Sequence, residues 1–259
     1  MPALKSLKAS IWLFSVTLLI GLLVVFLKSG GRGEEPEMET IRPKFPKPMF
    51  VSTPLPVSRP HLESPKKPRV EFEAALESEL ISVGARVTSS DELPIIGDLS
   101  LVTDGDKCGS EGSYVELSYG KQWVQIDLGQ QHELWAVLIW RIRPYYAYDD
   151  VIVQISSDPG FEEGTFTTVF NNDHDNSSGL GKGNDPAYVE TNYGRIVETE
   201  GITGRYIRLY SNGNTQNRAN HYSEVEVWGK PRLGLFSPLK PLTTKLSTFA
   251  RDQGQRPQP

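Results

Sequence analysis

Between residues 71 and 229 the chain carries six short runs of strand character, each closed off by Gly, Asn, Asp or Pro clusters. They are WVQIDLG (123–129), ELWAVLIWRI (133–142), DVIVQISS (150–157), TFTTVF (165–170), RYIRLYS (205–211) and HYSEVEVW (221–228). Six or more such runs at this spacing predict an all-β sandwich or barrel. In the last run Val225 and Val227 alternate with Glu224 and Glu226. That period of two predicts one face turned inward and the other turned toward solvent or an ion. Residues 134–140 are apolar on both faces and predict a central strand. A helical period shows weakly around 72–81, FEAALESELI.

The flanks differ sharply from this body. Residues 11–27, IWLFSVTLLIGLLVVFL, are an apolar run whose small or weakly polar members are Ser15, Thr17 and Gly21. As a helix it spans roughly 25 Å, the short end for a bilayer core. A cleaved signal peptide and an uncleaved signal anchor both begin this way. Cleavage wants small residues at −3 and −1, and after the run Ser29 with Gly31 meets that poorly, so an anchor is expected. Lys5 and Lys8 precede the run and keep the N-terminus in the cytoplasm, which sends the remainder outside, periplasmic or at the cell surface.

Residues 33–70 hold 9 prolines among 38 residues. Proline fixes φ and removes a backbone donor, so this segment is expected to be a stiff, extended spacer of at most about 120 Å. Residues 230–259, with five prolines, are expected to be a disordered basic tail. The expected division is therefore 1–32 anchor, 33–70 linker, 71–229 β-domain and 230–259 tail.

The formal net charge of −5 conceals an uneven distribution. Residues 71–229 hold 10 basic and 26 acidic residues, while both flanks are positive. An acidic body repels phosphate backbones, which argues against nucleic acid as a partner. A single cysteine, Cys108, excludes an internal disulfide framework and a cysteine-based zinc site.

Four motifs then carry a resemblance. Thr103-Asp104-Gly105-Asp106, Trp123 to Gly129, Gly204-Arg205-Tyr206-Ile207-Arg208-Leu209-Tyr210 and Glu224 to Gly229 occur in the order and spacing of the discoidin domain. The chain over about 80–229 resembles this coagulation-factor type C family of the galactose-binding-like superfamily. The stretch from Phe170 to Gly179 looks like a bacterial, exported branch of it. The resemblance implies a jelly-roll β-sandwich with binding loops at one end, adhesive rather than catalytic, for sugars, phospholipid head groups or proteins. Fold alone does not establish the ligand.

The resemblance also implies a structural Ca2+ held by Asp104, Asp106 and Glu224. The loop departs from the family pattern, with Gly109-Ser110-Glu111 and Tyr114 where a Thr-x-Trp often follows. The alternative is an Asx turn at Asp104-Gly105 with no metal. A second candidate is the aromatic loop that follows the central strand, where Arg143, Tyr145, Tyr146, Tyr148 and Asp149 offer rings for a sugar face and polar groups for its hydroxyls. Its alternative is that two of these tyrosines pack the sandwich end. A third is the loop from Asn171 to Asp185, with His174 as a hydrogen-bonding partner or its oxygens as ligands for a second cation; a polar loop held by Asx turns is the simpler account. The Asn-rich segment 212–221 suits tight turns.

Catalysis is not expected. The histidines are His61, His132, His174 and His221, no HExxH, GxSxG or Walker A pattern is present, and Cys108 has no evident partner. The sequence reads as a membrane-anchored, outward-facing module for carbohydrate at the cell envelope. The other reading is an interaction module that docks on an envelope protein.

Overall fold

The structure, a computed structural model, describes residues 36–48, 57–64, 66–142 and 146–232. The apolar run 11–27 and residues 233–259 of the expected tail lie outside the described residues. Among the described residues no helix is long and apolar enough to cross a membrane.

The described chain is an all-β sandwich. Its strands are β1 (Met38–Ile41), β2 (Phe72–Ala75), β3 (Glu79–Leu80), β4 (Arg86–Ser89), β5 (Val115–Leu117), β6 (Gln122–Trp140), β7 (Ile152–Ser156), β8 (Phe166–Asn171), β9 (Arg195–Ser211), β10 (Asn220–Tyr222) and β11 (Glu224–Pro231). One 3-10 turn, Leu99–Val102, is capped by the Asp98 side chain, which accepts from Ser100 N at 2.8 Å. The strands form a seven-stranded sheet in the order β3-β11-β6-β9-β7-β8 with β4 also on β6, and two ribbons, β1-β2 and β5-β10. All of these pairings are antiparallel.

Two of the runs read from the sequence are one strand. Residues 123–129 and 133–140 join through 130–132 into β6, because Gly129, at φ +79°, bends the chain without ending it. The Asp127 carboxylate accepts the Gly129 amide at 2.8 Å and holds the bend. Before the bend β6 pairs with β4, and after it with β11, while β9 follows the other edge on both sides of an irregularity. The doubly apolar run 134–140 is central, as its composition requires. Conversely, the run 221–228 divides into β10 and β11, and 72–81 forms β2 and β3 rather than a helix.

Both faces of β6 are covered by apolar groups. Leu134, Val137 and Ile139 join Val124, Ile126, Val225 and Val227 in the main core. Trp135, Ala136, Leu138 and Trp140 face a second cluster with Phe72, Ala74, Ala75, Ile41, Phe45 and Trp228. The β1-β2 ribbon supplies that second layer. It thereby corrects the spacer expected over 33–70: the proline-free stretch Glu37–Arg42 retains its ladder donors, and Met38–Ile41 pair with Phe72–Ala75. Phe45 then packs 5.3 Å from Tyr193, and Asn192 Nδ2 donates to Pro46 O at 3.1 Å. At the other end β11 continues past residue 229, with Lys230 and Pro231 opposite Glu133 and His132.

The glutamate face of β11 is shielded from solvent. Glu224 and Glu226 are 0% and 3% exposed. Glu226 pairs with Lys107 and accepts from Trp228 Nε1, so of the two surroundings the alternation allowed, solvent or an ion, this residue meets a charged group.

Candidate functional site

At one end of the sandwich a cleft of about 290 Å3 opens between three segments: the loop before β7, the loop after β8 and residues 59–61. The first contributes Tyr148, Asp149 and Asp150, the second Asn172, His174 and Asp175, and the third Arg59, Pro60 and His61. Ala187 closes the wall.

The floor is rigid. The Arg141 guanidinium lies between the rings of Tyr148 and Tyr222, 4.4 and 4.3 Å from their centroids. It donates to Ser211 Oγ at 3.0 Å and to His221 O at 3.2 Å. Tyr148 Oη meets His221 Nδ1 at 2.9 Å, and His221 Nε2 meets Glu116 Oε2 at 3.2 Å. Glu190 lies below, 2% exposed, 3.6 Å from Arg141 Nε. That separation is coulombic rather than a hydrogen bond. Burial pushes the Glu190 carboxyl up to about 7, against the pull of Arg141.

The walls are polar. Asp149 pairs with Arg59 at 2.9 Å. Burial raises the Asp149 carboxyl, Arg59 opposes the shift, and Asp150 and Asp175 add to it. Asp150 Oδ2 accepts from Ser177 Oγ and Asn212 Nδ2, both at 2.9 Å, and has left-handed backbone at φ +50°. The His61 and His174 rings stack with centroids 4.0 Å apart. Asn172 Oδ1 accepts the Val151 amide at 2.7 Å, which ties one wall to the next.

Of the residues singled out from the sequence, Asp149 and His174 line this cleft. Tyr148 lines it too, but as floor: its ring is 2% exposed and its hydroxyl is committed to His221. Tyr146 is half-buried against the main core, and its carbonyl accepts the Glu190 amide at 2.7 Å. These two tyrosines pack the sandwich end. Arg143 and Tyr145 lie outside the described residues. Sequence reasoning missed Arg59 and His61, since a proline-rich composition conceals contacts made at long range. Asn172 and Asp175 come from the oxygen-rich loop that starts at Asn171, for which the sequence left a ligand-lining or cation-binding loop and a plain polar loop both open.

Two groups of acids bear on cations. The oxygens of Asp150, Asp173 and Asp175 lie within 4.8 Å of one another. Asp173 is spent on its own loop, accepting from the Ser177 and Ser178 amides and Ser178 Oγ. The pair of acids in the Asp104 loop presents a different picture. Glu224 Oε2 accepts the Gly105 amide at 2.9 Å, while its Oε1 is buried with no hydrogen-bond partner. Burial, with Asp104 and Glu226 nearby, pushes the Glu224 carboxyl up to about 8. An orphaned buried carboxylate oxygen beside an Asp-Gly-Asp loop fits a cation there. Asp104 Oδ1 accepts the Asp106 amide at 2.8 Å and Asp106 Oδ1 accepts the Cys108 amide at 2.9 Å, so the two acids make successive Asx turns in this loop.

No protein-family model and no curated protein matches the chain. Solved structures do resemble it. A family 89 glycoside hydrolase from Clostridium perfringens, in complex with GlcNAc-alpha-1,4-galactose, is 23% identical with a TM-score of 0.44; the match covers 60% of this chain and 16% of that one. The chitosan-binding module 1 of a chitosanase/glucanase from Paenibacillus sp. IK-5 is 19% identical over 58% of this chain and 99% of the module, with a TM-score of 0.42. A fucolectin from striped bass serum, Morone saxatilis, is 15% identical over 59% of this chain and 48% of that one, with a TM-score of 0.44. This chain thus spans about a sixth of the hydrolase.

Proposed function

We propose that the chain is a non-catalytic, discoidin-like carbohydrate-binding module, held outside the cytoplasm by its N-terminal apolar run and acting in adhesion at the cell envelope. The cleft carries this reading. Its volume, about 290 Å3, sits at the small end of ligand pockets and suits a single sugar ring. Carboxylates, an amide, two imidazoles and a guanidinium converge on it, so that hydroxyl donors and acceptors are both met. A floor locked by Arg141 between two tyrosines keeps these groups in place before a ligand arrives.

Calcium has a structural part in this reading. Glu224 and Asp104 would hold it, with backbone oxygens of the 103–109 loop, and it would tie β11 to the loop 119 residues earlier. Asp106, also implied by the resemblance, would add a carboxylate oxygen from the same loop.

The test is a glycan array probed with the full chain in detergent micelles, with calcium and with chelator. Calcium-dependent glycan binding supports both module and metal, and binding that survives chelation removes the metal alone. Silence of a folded chain in both conditions removes the carbohydrate. A protein partner is the second reading, favoured by Leu93, Ile95, Ile96 and Tyr119, which stand 84%, 53%, 39% and 62% exposed near β5.

A further inference from the structure

We infer that residues 57–64 are an integral wall of the cleft, and that Arg59 and His61 are contacts that set its sugar specificity. The inference deepens the carbohydrate reading and rests on it.

The segment is fastened at three points. Leu62 makes a parallel bridge with Ala187: Glu63 N donates to Ala187 O at 2.8 Å, and Ala187 N donates to His61 O at 3.1 Å. The Glu63 carboxylate receives Arg195 Nη1 at 3.1 Å on both oxygens. Arg195 is held beforehand, over the rings of Tyr188 at 4.8 Å and Phe170 at 5.1 Å. Glu63 therefore meets a fixed partner and little side-chain entropy is lost in the pairing. Across the cleft Arg59 reaches Asp149 at 2.9 Å.

His61 sits between these anchors with left-handed backbone, φ +57°. A non-glycine residue keeps that conformation where surrounding contacts over-determine it. Here it directs the carbonyl to Ala187 N and the ring onto His174, 4.0 Å away at 23°. The result is that two side chains from a segment about 90 to 115 residues upstream complete a site whose other groups belong to the loops around β7 and β8.

The experiment uses the full chain in micelles. Amide hydrogen exchange is read at Glu63 and Ala187, and binding of the methyl glycosides of galactose, N-acetylglucosamine, glucosamine and fucose is read by calorimetry. Slow exchange at both amides is expected without any sugar; exchange at the rate of an open chain overturns the docked wall. Glu63→Pro removes the amide donor and the carboxylate pair together yet lines no part of the cleft. It should speed exchange at Ala187 and weaken glycoside binding, each by about tenfold, with the thermal transition retained. Unchanged or tighter binding in Glu63→Pro overturns the inference. Arg59→Gln and His61→Gln should weaken binding by a similar factor while Ala187 stays protected, and parity with wild type overturns their role as contacts. Silence of the wild type toward all four glycosides, with both amides protected, overturns the sugar reading and the contact roles with it.

Discussion

Arg141 Nε stands 3.6 Å from Glu190 Oε1, and neither side chain reaches solvent. The pair lies beneath the cleft floor, and its carboxyl half is pushed up to about 7 by burial, with Arg141 opposing. In the unfolded chain a glutamate releases its proton near 4.5. Between those values the folded protein holds a proton that the unfolded chain has lost, so stability falls as pH rises through this window and levels off above about 7. The contribution is on the order of 3 kcal/mol at most. Urea unfolding at pH 5 and pH 8 measures it. Glu190→Gln should shrink the difference between the two pH values without abolishing it, because the Glu224 carboxyl, pushed up to about 8, adds a slope of the same sign; an unaltered difference in the variant would show that the slope arises elsewhere.

Glu224 gives the second expectation. From its orphaned oxygen we expect the loop at Gly105 to respond to a divalent ion. Calcium at a hundred times its dissociation constant should stabilise the folded chain by about 3 kcal/mol, seen as a rise in Tm. Glu224→Gln keeps an oxygen for the Gly105 amide but gives up the charge, and it should abolish the rise. An equal calcium shift in the variant places the ion at another site.

Phe72 anchors the β1-β2 ribbon over the outer face of the sheet. It is 2% exposed and meets Trp228 edge-on at 5.9 Å. Phe72→Ala should cost about 3–5 kcal/mol, read as a lower urea midpoint. A loss under about 1 kcal/mol would mean that the ribbon adds little to the second cluster.

How far the sequence discloses this molecule follows from which contacts are local. Alternation in 123–129 and 224–228 reports the side chains' own period, so β6 and β11 were legible, as was the central position of 134–140. The Gly129 bend was not, since a glycine after an aspartate marks a strand end as readily as a bulge. The walls given by Asp149, His174 and the oxygen-rich loop were visible in residue type alone. Tyr148 was visible but its depth stayed open between two readings, because a buried ring with its hydroxyl on His221 and an exposed stacking platform have the same one-residue signature. Arg59, His61 and strand β1 were hidden by their prolines. Their partners, Asp149, His174 and Phe72–Ala75, lie from 31 to more than 100 residues away, and no local pattern encodes such pairing.

Gly183 is where the cleft's most polar wall is most easily disturbed. The loop from Asn171 to Asp185 closes on itself: Asp185 N donates to Asn171 O at 3.0 Å, Gly183 N donates to Asp173 O at 2.7 Å, and Asn171 Nδ2 donates to Gly181 O at 3.1 Å. A Cβ added at Gly183 would fall 1.9 Å from Asn171 O and 2.4 Å from Asn171 C, backbone atoms that cannot swing aside. Gly183→Ala must therefore spread the two ends of the loop and carry Asn172, His174 and Asp175 with them. The expected cost is about 1–3 kcal/mol of stability, since overpacking forces backbone shifts. Glycan binding should fall further than that stability loss explains, because most of the protein stays folded while the wall is misplaced. Lys182→Ala, at the neighbouring exposed position, should leave both quantities unchanged. Binding titrations on both variants, beside their urea curves, separate the outcomes. A folded Gly183→Ala protein with wild-type affinity would detach the loop from the ligand and leave Asp149 with the 57–64 wall as the remaining contacts.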